Sequence, residues 1–191
     1  MNEKISDLQS RVYLEAARFH YQQMQANFQD RARFMYSLLA FLPIARSVTL
    51  IFQKEFHENE KLMAWYNGKV KDWENNKVMK FFIEIRNISL KEHTPKTKVT
   101  ATVSFSGNAS LTDRIEIVKT SPNGKVEQIK AYESVAKPNE KEKEAEVKAN
   151  VVSYSFHELP EWFDENPDVM SLCKKYLDEL EKFVTEAEKR E

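Results

Sequence analysis

Glycine is scarce in this chain, at 3 of 191 residues, and there are 6 prolines. So little glycine leaves no room for a phosphate-cradling loop, and neither GxGxxG nor GxxxxGKS/T occurs. Long structureless stretches are excluded on the same ground. The single cysteine, Cys173, cannot close an internal disulfide, which predicts a reducing, cytoplasmic setting. The first ten residues, MNEKISDLQS, lack the apolar core of a secretory signal. No stretch reaches eighteen apolar residues; the richest, Met35 to Phe52, is broken by Ser37, Pro43, Arg46, Ser47 and Thr49. A buried helix is expected there, and no membrane partner. Neither GxSxG nor HExxH is present, which removes support for serine-hydrolase and zinc-protease chemistry. His20, His57 and His157 stand apart from other ligand-type residues, and His57-Glu58 with Glu60 reads as a charged junction between helices. No metal and no cofactor is implied.

Charge of one sign is also missing. The net charge is −1, which gives no general attraction to polyanions. The distribution is uneven, however. Residues 1–95 hold 14 Lys+Arg against 11 Asp+Glu, and residues 96–191 hold 15 against 19, so the halves carry +3 and −4. A basic first half suits a polyanionic ligand, on only three charges.

What is present is a core-forming composition, 41% hydrophobic and 12% aromatic. Leu8, Val12, Ala16 and Phe19 follow helical spacing from about Ser6 to Asp30, with Ser6 or Asp7 as cap. A second helix is expected over about 31–56, apolar on more than one face and therefore central. Pro43 inside it predicts a kink or a break. A third helix covers about 58–70 and a fourth about 74–91, ending near His93 because Pro95 biases Thr94 toward extended backbone. Short connections make an antiparallel bundle the economical arrangement.

Beyond Pro95 the period changes. Val99, Ala101, Val103 and Phe105 alternate with polar residues, as in a half-buried strand. Residues 114–120 and 125–133 predict two more strands joined by the turn Ser121-Pro122-Asn123-Gly124. Residues 137–146 are a charge-rich link, and alternation resumes over 147–156 with a slip toward Tyr154 and Phe156. Asn166-Pro167 reads as cap and first residue of a last helix. Its stripe of Leu172, Tyr176, Leu180, Phe183 and Ala187 packs either on the small sheet or back on the bundle. The fold class is therefore α+β. An antiparallel helical bundle over 1–95 precedes a β-rich accessory segment over 96–191 that closes with an amphipathic helix.

One constellation suggests chemistry. Arg86 and His93 stand seven apart at the end of the fourth helix, almost two turns, and so return to nearly one face. A permanent guanidinium would stabilise charge on phosphorus, and a histidine titrating near neutrality would move the proton. The segment Arg86-Asn87-Ile88-Ser89-Leu90-Lys91-Glu92-His93 resembles the HEPN superfamily hallmark, Arg, four to six residues, then His, with a polar residue after the Arg. The resemblance covers residues 1–95 at most. It implies a bundle that dimerises so that two motifs form a metal-independent ribonuclease site with Arg86, Asn87 and His93. It also implies an RNA substrate, and often an antitoxin or other protein partner in toxin–antitoxin or antiviral systems.

The blander reading pairs Arg86 with Glu84 or Glu92 and leaves His93 as a helix-end cap. Arg46, on an otherwise apolar helix, needs a partner or a ligand. It pairs with Glu84 or Glu55, or it lines the groove of Arg86 as a substrate contact. The aromatics Trp65, Tyr66, Trp73, Phe81 and Phe82 are core residues first and base-stacking surfaces second. A rival function is a non-catalytic bundle for dimerisation and protein interaction, its surface presented by the β segment.

Overall fold

Helix α1 (Gln9–Ala26) and helix α2 (Arg31–Glu55) are separated by a short turn. Asp30 stops the turn by accepting from the Arg33 N–H at 3.1 Å. At the far end the Gln9 N–H reaches Glu55 Oε1 at 3.4 Å, so the two helices run antiparallel. Helix α3 (Glu60–Glu74) starts where Asn59 accepts from the Leu62 N–H, at 3.1 Å. Helix α4 (Lys77–Lys91) starts where Asn76 accepts from both Val78 and Met79, at 3.0 and 3.1 Å. Such side-chain caps satisfy N–H groups that no earlier turn can serve. The computed structural model describes residues 8–106, 115–120, 126–132, 146–157 and 159–190.

Among the described residues, strands follow only after the four helices: β1 (Thr97–Ser106), β2 (Ile115–Thr120), β3 (Val126–Tyr132) and β4 (Glu146–Phe156). β1 pairs with β4, and β2 pairs antiparallel with β3, from Ile115 opposite Tyr132 to Thr120 opposite Val126. A register shift falls between Ile117 and Val118. The expected turn at 121–124 and nearly all of the charge-rich link at 137–146 lie outside the described residues. Helix α5 (Val169–Glu188) ends the architecture.

The chain forms two compact units, Met1–Ala101 with Val151–Glu191, and Thr102–Asn150. Helix α5 thus belongs with the four-helix bundle, whereas the sequence grouped it with the accessory segment. Its aromatic and apolar stripe explains why. Phe183 meets Trp65 in a stack at 5.3 Å and Phe52, Trp73 and Tyr66 at 5.0, 5.2 and 6.0 Å. Tyr176 stacks on Phe82 at 4.3 Å with planes 1° apart. Burying such rings removes large apolar areas from water, which no small sheet could match. Polar groups lock the same pairing: Arg11 of α1 donates to Glu181 at 2.7 Å and to both oxygens of Glu188 at 2.8 and 2.9 Å. Arg18 also bonds Glu181, so α1 and α5 are antiparallel.

Three local expectations need correction. Of the kink or break expected at Pro43, the break does not occur: helix α2 continues through it, with Ser47 Oγ donating to the Pro43 carbonyl at 2.9 Å. Burial of Phe34, Leu38, Phe41, Leu42, Ala45, Val48 and Phe52 outweighs the one lost N–H. This helix is long and apolar enough to cross a membrane by length and composition, but those apolar residues form the core of the bundle. Helix α5 starts after Asp168, whose side chain accepts from the Ser171 N–H at 2.8 Å. Asn166 and Pro167 are used earlier: Asn166 accepts from the Asp168 N–H at 3.1 Å, and the Pro167 carbonyl accepts from Phe156 of β4 at 2.8 Å. Finally, α3 extends to Glu74, past the expected end near Val70.

At the end of strand β4, Tyr154 and Phe156 are buried. Tyr154 stacks on Phe34 at 3.7 Å and its hydroxyl donates to the Phe28 carbonyl at 3.1 Å. The Gln29 side-chain amide completes the junction by bonding both the N–H and C=O of Val151.

Candidate functional site

Helix α4 buries Val78, Met79, Phe81, Phe82 and Ile85, which fixes its rotation. Ile83, Arg86, Asn87 and Leu90 follow at i, i+3, i+4 and i+7 and share its outer flank. Ile83 and Leu90 are 39% and 56% exposed, while Arg86 and Asn87 are half-buried. Arg86 Nη1 donates to Asn87 Oδ1 at 3.0 Å, so the structure brings these two predicted residues together. Arg86 Nε is buried with no acceptor.

His93 is placed differently. Helix α4 stops at Lys91 with Glu92 as its C-cap, and the N–H groups of Glu92 and His93 both converge on the Ile88 carbonyl, at 2.9 and 3.2 Å. Glu92 has φ −120° and ψ −67°, outside helical geometry. His93 is therefore exposed on the turn beyond the helix, with Nδ1 2.9 Å from the Thr94 carbonyl. A neutral imidazole donating through Nδ1 carries its lone pair on Nε2. The seven-residue spacing is real in sequence, but its last step is not helical.

Arg46 corrects the salt-bridge expectation. Its Nη1 bonds the Thr49 hydroxyl, and neither Glu84 nor Glu55 pairs with it. Thr49 itself is buried, and Glu55 is engaged by Gln9 instead. Neither Glu84 nor Glu92 pairs with Arg86 either. Among the described residues, both guanidiniums lack a carboxylate partner.

The residue that sequence reasoning passed over is Tyr176. Burial pushes its phenol well above the usual tyrosine range, while the charges of Arg46 and Arg86 act in the opposite sense. Helices α2, α4 and α5 therefore bring two guanidiniums within electrostatic reach of one buried phenol. Tyr176 was the single hydroxyl in the apolar stripe of the last helix, and that was the available signal. Arg46 also lines an open groove between α2, α3 and α4.

Other candidates recede. Cys173 is fully buried, and burial pushes its thiol up, with the Asp168 charge adding to the effect. Burial lowers His20, while His57 bonds the Lys54 carbonyl at 2.9 Å. No group of three or more His, Cys, Asp or Glu suited to a metal occurs among the described residues. No protein-family model, curated protein or solved structure matches the chain. The resemblance of the Arg86–His93 segment thus rests on those residues alone.

Proposed function

We propose that the helical unit binds RNA and, as a HEPN-like homodimer, cuts it without a metal. The observation that carries this reading is the pair of half-buried guanidiniums, Arg46 and Arg86, that have hydroxyl or amide partners but no carboxylate among the described residues. A half-buried guanidinium with only neutral internal partners is suited to an anion from outside. Arg86 and Arg46 would hold phosphate oxygens, and Asn87 would orient Arg86. His93 of one copy would take the proton from the 2′-OH as it attacks phosphorus. The second copy's His93, protonated, would supply a proton to the departing 5′-oxygen. Ile83 and Leu90, exposed on either side of Arg86, support a two-fold contact near the motif.

A second reading is a non-catalytic bundle that serves dimerisation or a protein partner. The position of His93 beyond Lys91, the last residue of α4, favours it, because helical geometry does not carry the imidazole onto the flank of Arg86. Incubation of the full chain with RNA in EDTA separates the two. Cleavage giving 2′,3′-cyclic phosphate ends is expected, with DNA left intact, and His93→Ala should slow it by about 10²–10⁴-fold. Arg86→Lys should not restore the rate fully, since an ammonium lacks the two-pronged fork. Failure to cut or bind any RNA, with no salt-dependent association, would hand the case to the interaction module.

A further inference from the structure

The groove that Arg46 lines has a chemistry of its own. On α3, Tyr66, Trp73 and Glu74 recur at i, i+7 and i+8 and share a face; on α4, Lys80 and Ile83 lie one turn apart. Together with Arg46 they border a cavity of about 320 Å³. That lies at the small end of the roughly 300–1,000 Å³ typical of small-molecule sites. Its walls are held in place. Trp73 meets Phe183 edge-on at 5.2 Å, and Tyr66 leans on Phe52 at 5.7 Å.

The charges of the groove do not neutralise one another. Arg46 has only the Thr49 hydroxyl, and Lys80 sits over the Trp162 ring at 4.5 Å with no carboxylate. Glu74, the last residue of α3, has no cationic partner among the described residues. A ligand that satisfies this set needs a flat body, an anionic group and N–H donors. A nucleotide with an amino-bearing base has all three. Its base would lie on Trp73, and stacking on an aromatic face is favourable for any base. Its edge would meet Glu74, where guanine offers two adjacent N–H donors and uracil only one N–H, flanked by carbonyl oxygens that repel the carboxylate. Its phosphate would meet Arg46 and Lys80.

We infer that this groove is a single-nucleotide site that selects guanine, read by Glu74 and anchored by Trp73, Arg46 and Lys80. The inference shares Arg46 with the RNA reading and deepens it. A free nucleotide and a base splayed from an RNA strand present the same groups.

The test titrates the full chain with GMP, UMP and guanosine at fixed ionic strength, followed by tryptophan fluorescence and calorimetry. GMP should bind at least about fivefold more tightly than UMP, the lower end of the range for a two-pronged base contact. Guanosine should bind more weakly than GMP. Glu74→Gln should erase the GMP over UMP preference, and Lys80→Met should weaken GMP while sparing guanosine. Both residues are exposed, so neither change threatens the fold. A second arm uses an RNA strand with one guanosine or an abasic residue in its place. Weaker binding of the abasic strand assigns the site to RNA, while equal binding alongside GMP affinity assigns it to a free nucleotide. GMP bound without any RNA binding would sustain this inference and overturn the RNA reading. RNA bound with no response to GMP or to the missing base would do the reverse. Equal affinities for GMP and UMP, or GMP binding untouched by both variants, would overturn the site.

Discussion

Replacing Arg86 by methionine should leave the fold as stable as before, or more so, while removing the proposed phosphate contact. Arg86 Nε is buried without an acceptor, and an unmet buried donor costs about 1–3 kcal/mol. Methionine keeps most of the stem packed against α4 and its neighbours and carries no donor. The loss on the other side is the 3.0 Å contact from Nη1 to Asn87, a local contact between adjacent half-buried residues worth about 0.5–1.5 kcal/mol. The balance runs from a loss of about 0.5 to a gain of about 2.5 kcal/mol of stability. At this chain length each kcal/mol moves Tm by about 2–4 °C. Urea unfolding followed by tryptophan fluorescence reads it directly, because Trp65 and Trp73 pack on Phe183 and report closure of the bundle. RNA binding should fall in the same variant, and its salt slope should shrink by about 0.7, the share of one single-strand phosphate contact. Destabilisation beyond about 1 kcal/mol would mean that Arg86 is kept for structure. Unchanged RNA binding would remove it from the site.

Two further outcomes test the fold that holds the site. Arg11→Met should cost about 2 kcal/mol at neutral pH, less than a fully buried pair because Glu181 and Glu188 remain 36% and 25% exposed. Burial pushes the Glu181 carboxyl up, but the Arg11 hydrogen bond and charge outweigh it and hold it below its usual 4.5. A depressed carboxylate stabilises the folded state above its unfolded value and loses that contribution as pH falls through the folded one. The gap between wild type and variant in urea titrations should therefore narrow below about pH 4.5, and a constant gap would refute the ion-pair account. Iodoacetamide should alkylate Cys173 only as fast as the bundle opens, since its thiol is buried and pushed up. Labelling of native protein at the rate of a free thiol would contradict that burial.

The elements themselves were legible because their signals are local. The helical periods of α1 to α4 follow from the spacing of their apolar residues, and the period change after Pro95 places β1 correctly, although the starts set by the Asn59 and Asn76 caps went unread. What could not be read is set by contacts distant in sequence. The partner of the α5 stripe was left open between sheet and bundle, and rings from α2, α3 and α4 decided it. At the site, Arg86 and Asn87 are adjacent in sequence and remain adjacent in space. His93 was placed by helical arithmetic that fails one residue past Lys91. The absent salt bridges of Arg46 and Arg86 were invisible, because a list of nearby carboxylates says nothing of which way each side chain leaves its helix. Tyr176 was hidden for the same reason, as one more member of an apolar stripe, although the charges of Arg46 and Arg86 act on its phenol.

The clasp between Arg11 and Glu188 joins residues 177 positions apart, and this has a consequence for how the protein is made. Chains emerge at about 5–20 residues per second, so α1 to α4 must wait several seconds for α5. During that interval Phe82 lacks Tyr176, and Trp65, Tyr66 and Trp73 lack Phe183. A ribosome that stalls within 102–150 would hold out a four-helix intermediate with an open aromatic seam, a natural target for chaperones and proteases. Closure of the aromatic seam is thus tied to synthesis of α5 itself.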